Sequence, residues 1–230
     1  VERGVHPDDA IPGAYAANQS IPLYFMPLTA TGGNYMTDGQ GSAISTTLIW
    51  EENPSLTHAQ INQTVHDYLG INKYYVVPDV NGEYIEHVDC WGKYLSPDTI
   101  LIRSVPTTHP QYQKIEAAVA YFKNQTSCYG TPYHVVRVYT PLDEPYTNSL
   151  ILDNKVFVPI MGDQYDAAAL QSYRDAMPGY EVLGFTGLQS APWESTDALH
   201  CRVMGITDRY MHDKAVMDAI HLIIKTCRKN

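Results

Sequence analysis

Hydrophobic and polar positions along the chain change period repeatedly, and the changes recur in one order. Stretches with a period near two, read as strands, alternate with stretches whose apolar residues return every three to four positions, read as helices. The first set is a strand over 22–28, a β-branched strand over 42–50, a helix over 58–69 and a strand over 74–77. Thr57 with Gln60 three residues later is a capping-box signature for the helix start, and Gly70 is its stop. The second set is strands over 84–90 and 99–105, a helix over 111–123 with Ile115, Val119 and Phe122 on one face, and a strand over 133–139. The third is strands over 149–153 and 156–160, a helix over 167–177 closed by Pro178-Gly179, and a strand over 181–184. A fourth begins with a strand over 198–205 and a helix over 214–226.

The pattern is therefore strand-strand-helix-strand three times plus a partial fourth, with a period of roughly 60 residues. The fold class is α/β. Each unit can bury only part of its apolar surface alone, so the units must pack on one another, and radial repetition is one solution. An ordinary α/β sandwich is the alternative, and no linker or low-complexity segment divides the chain.

Charge narrows the function. Fifteen Lys and Arg against 25 Asp and Glu give a formal charge of -10, which argues against nucleic acid or an anionic membrane as partner. The longest apolar run, 215–224, contains Asp218 and His221 and is far short of the ~20 residues a membrane span needs. Three sequons, at Asn18, Asn62 and Asn124, point towards a secreted, glycosylated chain. None of the four cysteines has CxxC spacing, so neither a zinc site nor a dithiol redox motif is indicated; Cys128 and Cys227 are the pair expected if a disulfide forms.

Four stretches could carry chemistry. In Glu86-His87-Val88-Asp89-Cys90, read as a strand, His87 and Asp89 share a face and suit acid/base work or cation binding. In Thr196 to Arg202, Cys201 lies beside Arg202 and His200, a setting for a thiolate of lowered pKa. Asn148 sits at the mouth of a strand, and Gly32-Gly33 lets backbone approach a ligand closely. A thiol, a histidine and Asn or Asp on separate elements fit a nucleophilic-cysteine enzyme. The electrophile is either a peptide carbonyl or a guanidinium carbon, and Asp89 with the acidic balance favours a cation.

The stretches Gly32-Gly33-Asn34-Tyr35-Met36-Thr37-Asp38-Gly39, His87-Val88-Asp89-Cys90-Trp91, Ser96-Pro97, Leu101-Ile102-Arg103, Tyr146-Thr147-Asn148-Ser149-Leu150 and Thr196 to Arg202, in this order, resemble the bacterial-type protein-arginine deiminases. These belong to the guanidino-group-modifying superfamily with agmatine deiminase. The resemblance implies a pseudo-fivefold α/β-propeller of ββαβ modules around a polar site, and hydrolysis of arginine in peptides, or of a small guanidine, to a ureido product plus ammonia. A non-catalytic cation-binding paralogue is the alternative. It implies Cys201 as nucleophile, His87 as acid then base, Asp89 as the carboxylate pairing with the guanidinium, and Asn148 as the residue that positions the thiol. Tyr84, Ile85, Thr196, Gly32 and Gly33 match positions lining the substrate slot, and Arg3 matches an arginine that holds a peptide carboxylate. No metal or cofactor is implied. The family's Trp-x-Arg-Asp loop, source of a second carboxylate, has no counterpart here. About three and a half modules stand where five are expected. The chain is thus expected to be the C-terminal part of one catalytic domain, completed by an N-terminal chain of the same precursor.

Overall fold

A computed structural model describes residues 7–82 and 84–203. A short helix, α1 (Ile11–Gln19), precedes three modules of one design. The first is β1 (Met36–Thr37), β2 (Ser42–Thr46), α2 (Leu48–Glu51), α3 (His58–Leu69) and β3 (Lys73–Val77). The second is β4 (Gly92–Ser96), β5 (Thr99–Ser104), α4 (Tyr112–Lys123) and β6 (His134–Tyr139); the third is β7 (Leu150–Leu152), β8 (Lys155–Ile160), α5 (Asp166–Ala176) and β9 (Glu181–Thr186). Each module is a separate three-stranded sheet in chain order. Its first two strands pair antiparallel, and the third, reached through the helix, pairs parallel to the second. The parallel pairing is what demands a helix-length crossover.

The central strands explain how modules join. In β5, Ile100 and Ile102 point into a core shared with Met36, Ile44 and Val77 of the first module, Trp91 and Phe122. Leu101, between them, points into a second core with Tyr146, Val156, Val158 and Tyr173 of the third module. Because alternate residues of a strand face opposite ways, one strand serves two interfaces. Among the described residues the outer modules have no second neighbouring sheet; Leu188, just after β9, is 72% exposed and Phe25, before β1, 78%.

The helices lie where their period places them. Thr57 and Gln60 form a complete capping box, and Gly70 closes α3 in the left-handed conformation at φ 70°. A cap of this kind contributes about 1 kcal/mol. Four expected strands are corrected. Residues 22–28 form no strand; the edge of the first sheet is the two-residue β1, after the Gly32–Asn34 3₁₀ turn. The strand over 42–50 ends at Thr46 and turns into α2. Residues 84–90 form no strand: Glu86 is left-handed (φ 55°), Val88–Cys90 is a 3₁₀ turn, and the strand of that module is β4. Residues 198–203 likewise contain a 3₁₀ turn, His200–Arg202. The helix expected over 214–226 lies outside the described residues, as does Arg3. No described helix is long and apolar enough to cross a membrane.

Candidate active site

The 3₁₀ turn at Val88–Cys90 is pinned from below. Val88 and Trp91 are each 1% exposed in the first core, and Trp91 N–H donates to the Val88 carbonyl at 3.1 Å. With those anchors down, Asp89 is held fully buried and His87 nearly so. The two side chains meet over Gly33: a Cβ there would lie 2.5 Å from His87 Nδ1 and 2.9 Å from Asp89 Oδ2. Glycine is the residue this approach admits. His87 and Asp89 are thus neighbours across a turn and a glycine, and not through the strand alternation expected of them. Thr46, at the end of β2, fastens the surroundings: its N–H donates to Asn34 Oδ1 at 2.8 Å and its hydroxyl to the Glu86 carbonyl at 2.6 Å.

The second half of the site comes from the third module. The Tyr146 hydroxyl donates to Asp166 Oδ1 at 2.8 Å, and the Tyr173 hydroxyl to the Tyr146 carbonyl at 2.7 Å, which fixes the turn that presents the fully buried Asn148. Asn148 then grips the cysteine segment. Its Nδ2 donates to Cys201 Sγ at 3.1 Å, and its Oδ1 accepts from the backbone N–H groups of His200 and Cys201 at 2.9 and 3.2 Å. Cys201 is exposed, but its sulfur turns inward, 3.5 Å from Asp89 Oδ2 and 3.7 Å from the Thr196 carbonyl. His200 Nδ1 lies 2.7 Å from the same Asp89 oxygen. Cys201, Asp89, His87, Asn148, Thr196 and Gly33 are therefore one constellation drawn from all three modules and the segment after them. Gly32 has open space where a Cβ would stand, Tyr84 is 64% exposed and Ile85 is half-buried on the same loop as His87.

The electrostatics correct one expectation. Burial pushes the Cys201 thiol up, and the Asp89 charge adds to it, to about 12; the Asn148 hydrogen bond works the other way. Arg202 makes no hydrogen bond to the sulfur and acts on it only as a nearby charge, because its guanidinium is committed elsewhere. It bonds Asp197 through Nε at 3.1 Å and Nη2 at 2.8 Å and stands 4.9 Å over the Trp193 ring. Burial raises Asp89 as well, but the His200 hydrogen bond and the charges of His200 and His87 outweigh burial and hold the carboxyl below its usual value. Asp89 is thus an anion facing a neutral thiol. That arrangement can receive a cation, and a cation in place would favour loss of the thiol proton.

Two further residues belong here: His200, which the sequence reading gave only as a neighbour of the thiol, and Lys93, which it passed over. His200 was visible as a histidine directly before the cysteine. Lys93 was visible as a charge inside the otherwise apolar run Trp91 to Leu95; it is 6% exposed, and burial lowers it to about 8 against the opposing pull of Asp89 and Cys201. No disulfide joins the described cysteines; Cys201 is a free thiol, Cys90 Sγ lies buried 3.5 Å from Asp89 Oδ1, and Cys227 of the expected Cys128–Cys227 pair is outside the described residues. Among the described residues no group of three or more His, Cys, Asp or Glu is placed to hold a metal ion.

Comparison with known proteins bears on the fold and the family. An agmatine deiminase of Medicago truncatula is 26% identical over 208 residues, 74% of this chain and 54% of that protein. The chain spans little more than half the length of the curated relatives it matches. The solved agmatine deiminase of Enterococcus faecalis superposes with a TM-score of 0.76 at 21% identity, over 84% of this chain and 62% of that one. The agmatine deiminase of Campylobacter jejuni gives 0.69 at 17% identity, over 84% and 60%. Both show the same α/β fold. Residues 3–206 match the Porphyromonas-type peptidyl-arginine deiminases, and the chain belongs to that family.

Proposed function

We propose that this chain carries the reacting residues of a guanidine deiminase, which hydrolyses a guanidinium to a ureido group and ammonia. The observation that carries the reading is the placement of one sulfur between two fixed partners, 3.1 Å from Asn148 Nδ2 and 3.5 Å from Asp89 Oδ2. Asp89 pairs with the planar cation through charge-assisted hydrogen bonds. The bound cation offsets the carboxylate charge that holds the thiol protonated, so Cys201 gives up its proton to water when substrate is present. The thiolate attacks the guanidinium carbon. His87 protonates the departing nitrogen as ammonia leaves, and a covalent thiouronium remains on the sulfur. His87 then takes a proton from water, the hydroxide adds to the same carbon, and the C–S bond breaks to release the ureido product and the thiol.

The substrate is either a small guanidine of the agmatine kind or arginine in a peptide. The named relatives favour the first; the matched family favours the second. Mixing the protein with agmatine or with a peptide ending in arginine, and measuring ureido product, separates them. Loss of product in Cys201→Ala with the fold intact supports the mechanism, and unchanged turnover overturns it.

A guanidinium is costly to desolvate without full pairing. We therefore place these modules in a five-module propeller whose N-terminal part, absent from residues 1–230, supplies a second carboxylate. The exposed apolar residues on the outer modules support this. Turnover by residues 1–230 alone would overturn it. Asn18, Asn62 and Asn124 are all exposed, as glycan acceptors of a secreted protein must be.

A further inference from the structure

The Asp89 side chain is 0% exposed, so a guanidinium cannot touch this carboxylate until a neighbouring group moves. A Cβ on Gly33 would lie 2.9 and 3.1 Å from the two oxygens, so that backbone covers one side. Cys90 Sγ lies 3.5 Å from Oδ1, and Cys201 Sγ lies 3.5 Å from Oδ2. The closest group is His200 Nδ1, 2.7 Å from Oδ2. Gly33 is held in its 3₁₀ turn beside Asn34, whose Oδ1 accepts from Thr46 N–H at 2.8 Å. Cys90 is 2% exposed in the core, and the Cys201 sulfur is held by Asn148. The imidazole differs from all three. Its side chain is 27% exposed on a surface turn, while its backbone N–H is held separately by Asn148 Oδ1 at 2.9 Å. The ring can therefore rotate into water without releasing the backbone of the cysteine segment.

We propose that His200 is a gate on the cation site: its imidazole holds Asp89 Oδ2 while the site is empty and turns out to solvent when a guanidinium pairs with that oxygen. This rests on reading Asp89 as the partner of the cation. An ionised carboxylate only accepts, so the Nδ1 proton is the one directed at Asp89. That donor satisfies a buried anion that would be costly to leave unpaired. A ligand at Asp89 therefore gains only the difference between its own bonds and the one that it displaces. A planar cation with two parallel N–H donors exceeds a single imidazole N–H. A neutral ureido group brings donors without the charge, so His200 recloses on Asp89 as product forms. The gate thus favours binding of a guanidinium and release of its product with one side chain.

The test uses the whole 230-residue chain and needs no turnover. Cationic 2-chloroacetamidine and neutral iodoacetamide are reacted at about pH 8, and alkylation of Cys201 is read by peptide mass spectrometry, separately from the other cysteines. In His200→Ala the rate ratio of the cationic to the neutral reagent should rise about tenfold, because the amidinium no longer displaces a hydrogen bond. His200→Gln, which keeps a neutral donor, should fall between alanine and wild type. The two adducts supply a second readout, since they match in shape and differ in charge. In wild type the hydrogen-bonded Nδ1 proton of His200 should disappear from the NMR spectrum of the amidine adduct and persist in that of the amide adduct. A merely structural histidine would respond alike to both. A ratio that stays level or falls in His200→Ala, or an Nδ1 proton that survives the amidine adduct, overturns the proposal; a fall would mean that His200 supports Asp89 and does not block it. A raised ratio without deimination would remove the functional reading alone, and deimination with a level ratio would remove this inference alone.

Discussion

The two halves of the site are built by different physics. The half that carries His87 and Asp89 is part of the core: Val88 and Trp91 anchor it, Gly33 admits it, and Asp89 is fully buried. The half that carries Cys201 is an exposed 3₁₀ turn held by hydrogen bonds, chiefly from the Asn148 side chain, with His200 also bonded to Asp89. The first is preorganised by packing, the second by hydrogen bonds. Packing fixes a position within tenths of an ångström. Hydrogen bonds to a surface segment can be released without disturbing the core. The Asp89 carboxylate is therefore rigid, whereas the Cys201 thiol can be adjusted.

That difference is open to attack by mutation. The largest effect is expected from charge in the rigid half. Lys93→Met should stabilise the protein at pH 7 by about 3 kcal/mol, since burial lowers Lys93 from its ordinary value of 10.5 to about 8 and each unit is worth about 1.4 kcal/mol. The sign follows from a lowered folded value: the penalty is complete below about pH 8 and is relieved as pH rises towards 10.5. Urea titrations of wild type and variant at pH 7 and 10 should show the gap closing, and a gap independent of pH would contradict this origin.

Gly33→Ala comes next. A Cβ 2.5 Å from His87 Nδ1 must displace the histidine or the turn. A shift near 1 Å should lower deimination in the complete enzyme about a hundredfold. In the chain alone, the same variant should abolish any preference of Cys201 for a cationic alkylating agent, which reads the carboxylate half directly. Asn148→Ala should act on the other half only. Losing a buried partner of two backbone N–H groups costs about 2 kcal/mol, so amides of His200 and Cys201 should exchange ~30-fold faster while those of β4 and β5 keep their rates. Equal acceleration in both regions would show that the halves are not independent. The smallest effect is a control outside both. Thr57→Ala removes the capping box of α3 and should cost about 1 kcal/mol in thermal unfolding without changing Cys201 labelling.

The same division decides what the sequence disclosed. The outer helices were legible because their apolar period and caps are local, as Thr57, Gln60 and Gly70 illustrate. The module order was legible because it repeats. The motifs that carry the family resemblance name residues that the fold brings together, Asn148 and Cys201 among them. Their local structure was not. Glu86 to Cys90 alternates in polarity as a strand does, yet the alternation arises from a turn whose Val88 and Trp91 are driven into the core while Asp89 faces the cavity. β4 is hidden for the same reason, since the polar alternation just before it already reads as the first strand of that module. Arg202 looked like an activator of the thiol by adjacency, and only three-dimensional structure reveals its commitment to Asp197 and Trp193. The partnership of His200 with Asp89 spans 111 residues and has no local signature.

The central claim is that Asp89 and Cys201 form one site for a planar cation. The most direct measurement compares labelling of Cys201 by 2-chloroacetamidine and by iodoacetamide in wild type and Asp89→Asn. In wild type the amidinium should react at least ~tenfold faster relative to the neutral reagent, since an ion pair at close range contributes on the order of 1–3 kcal/mol. The preference should vanish in Asp89→Asn, whose thiol loses the carboxylate that holds it protonated and becomes more reactive towards iodoacetamide. A preference that survives the substitution, or one absent from wild type, would contradict the account.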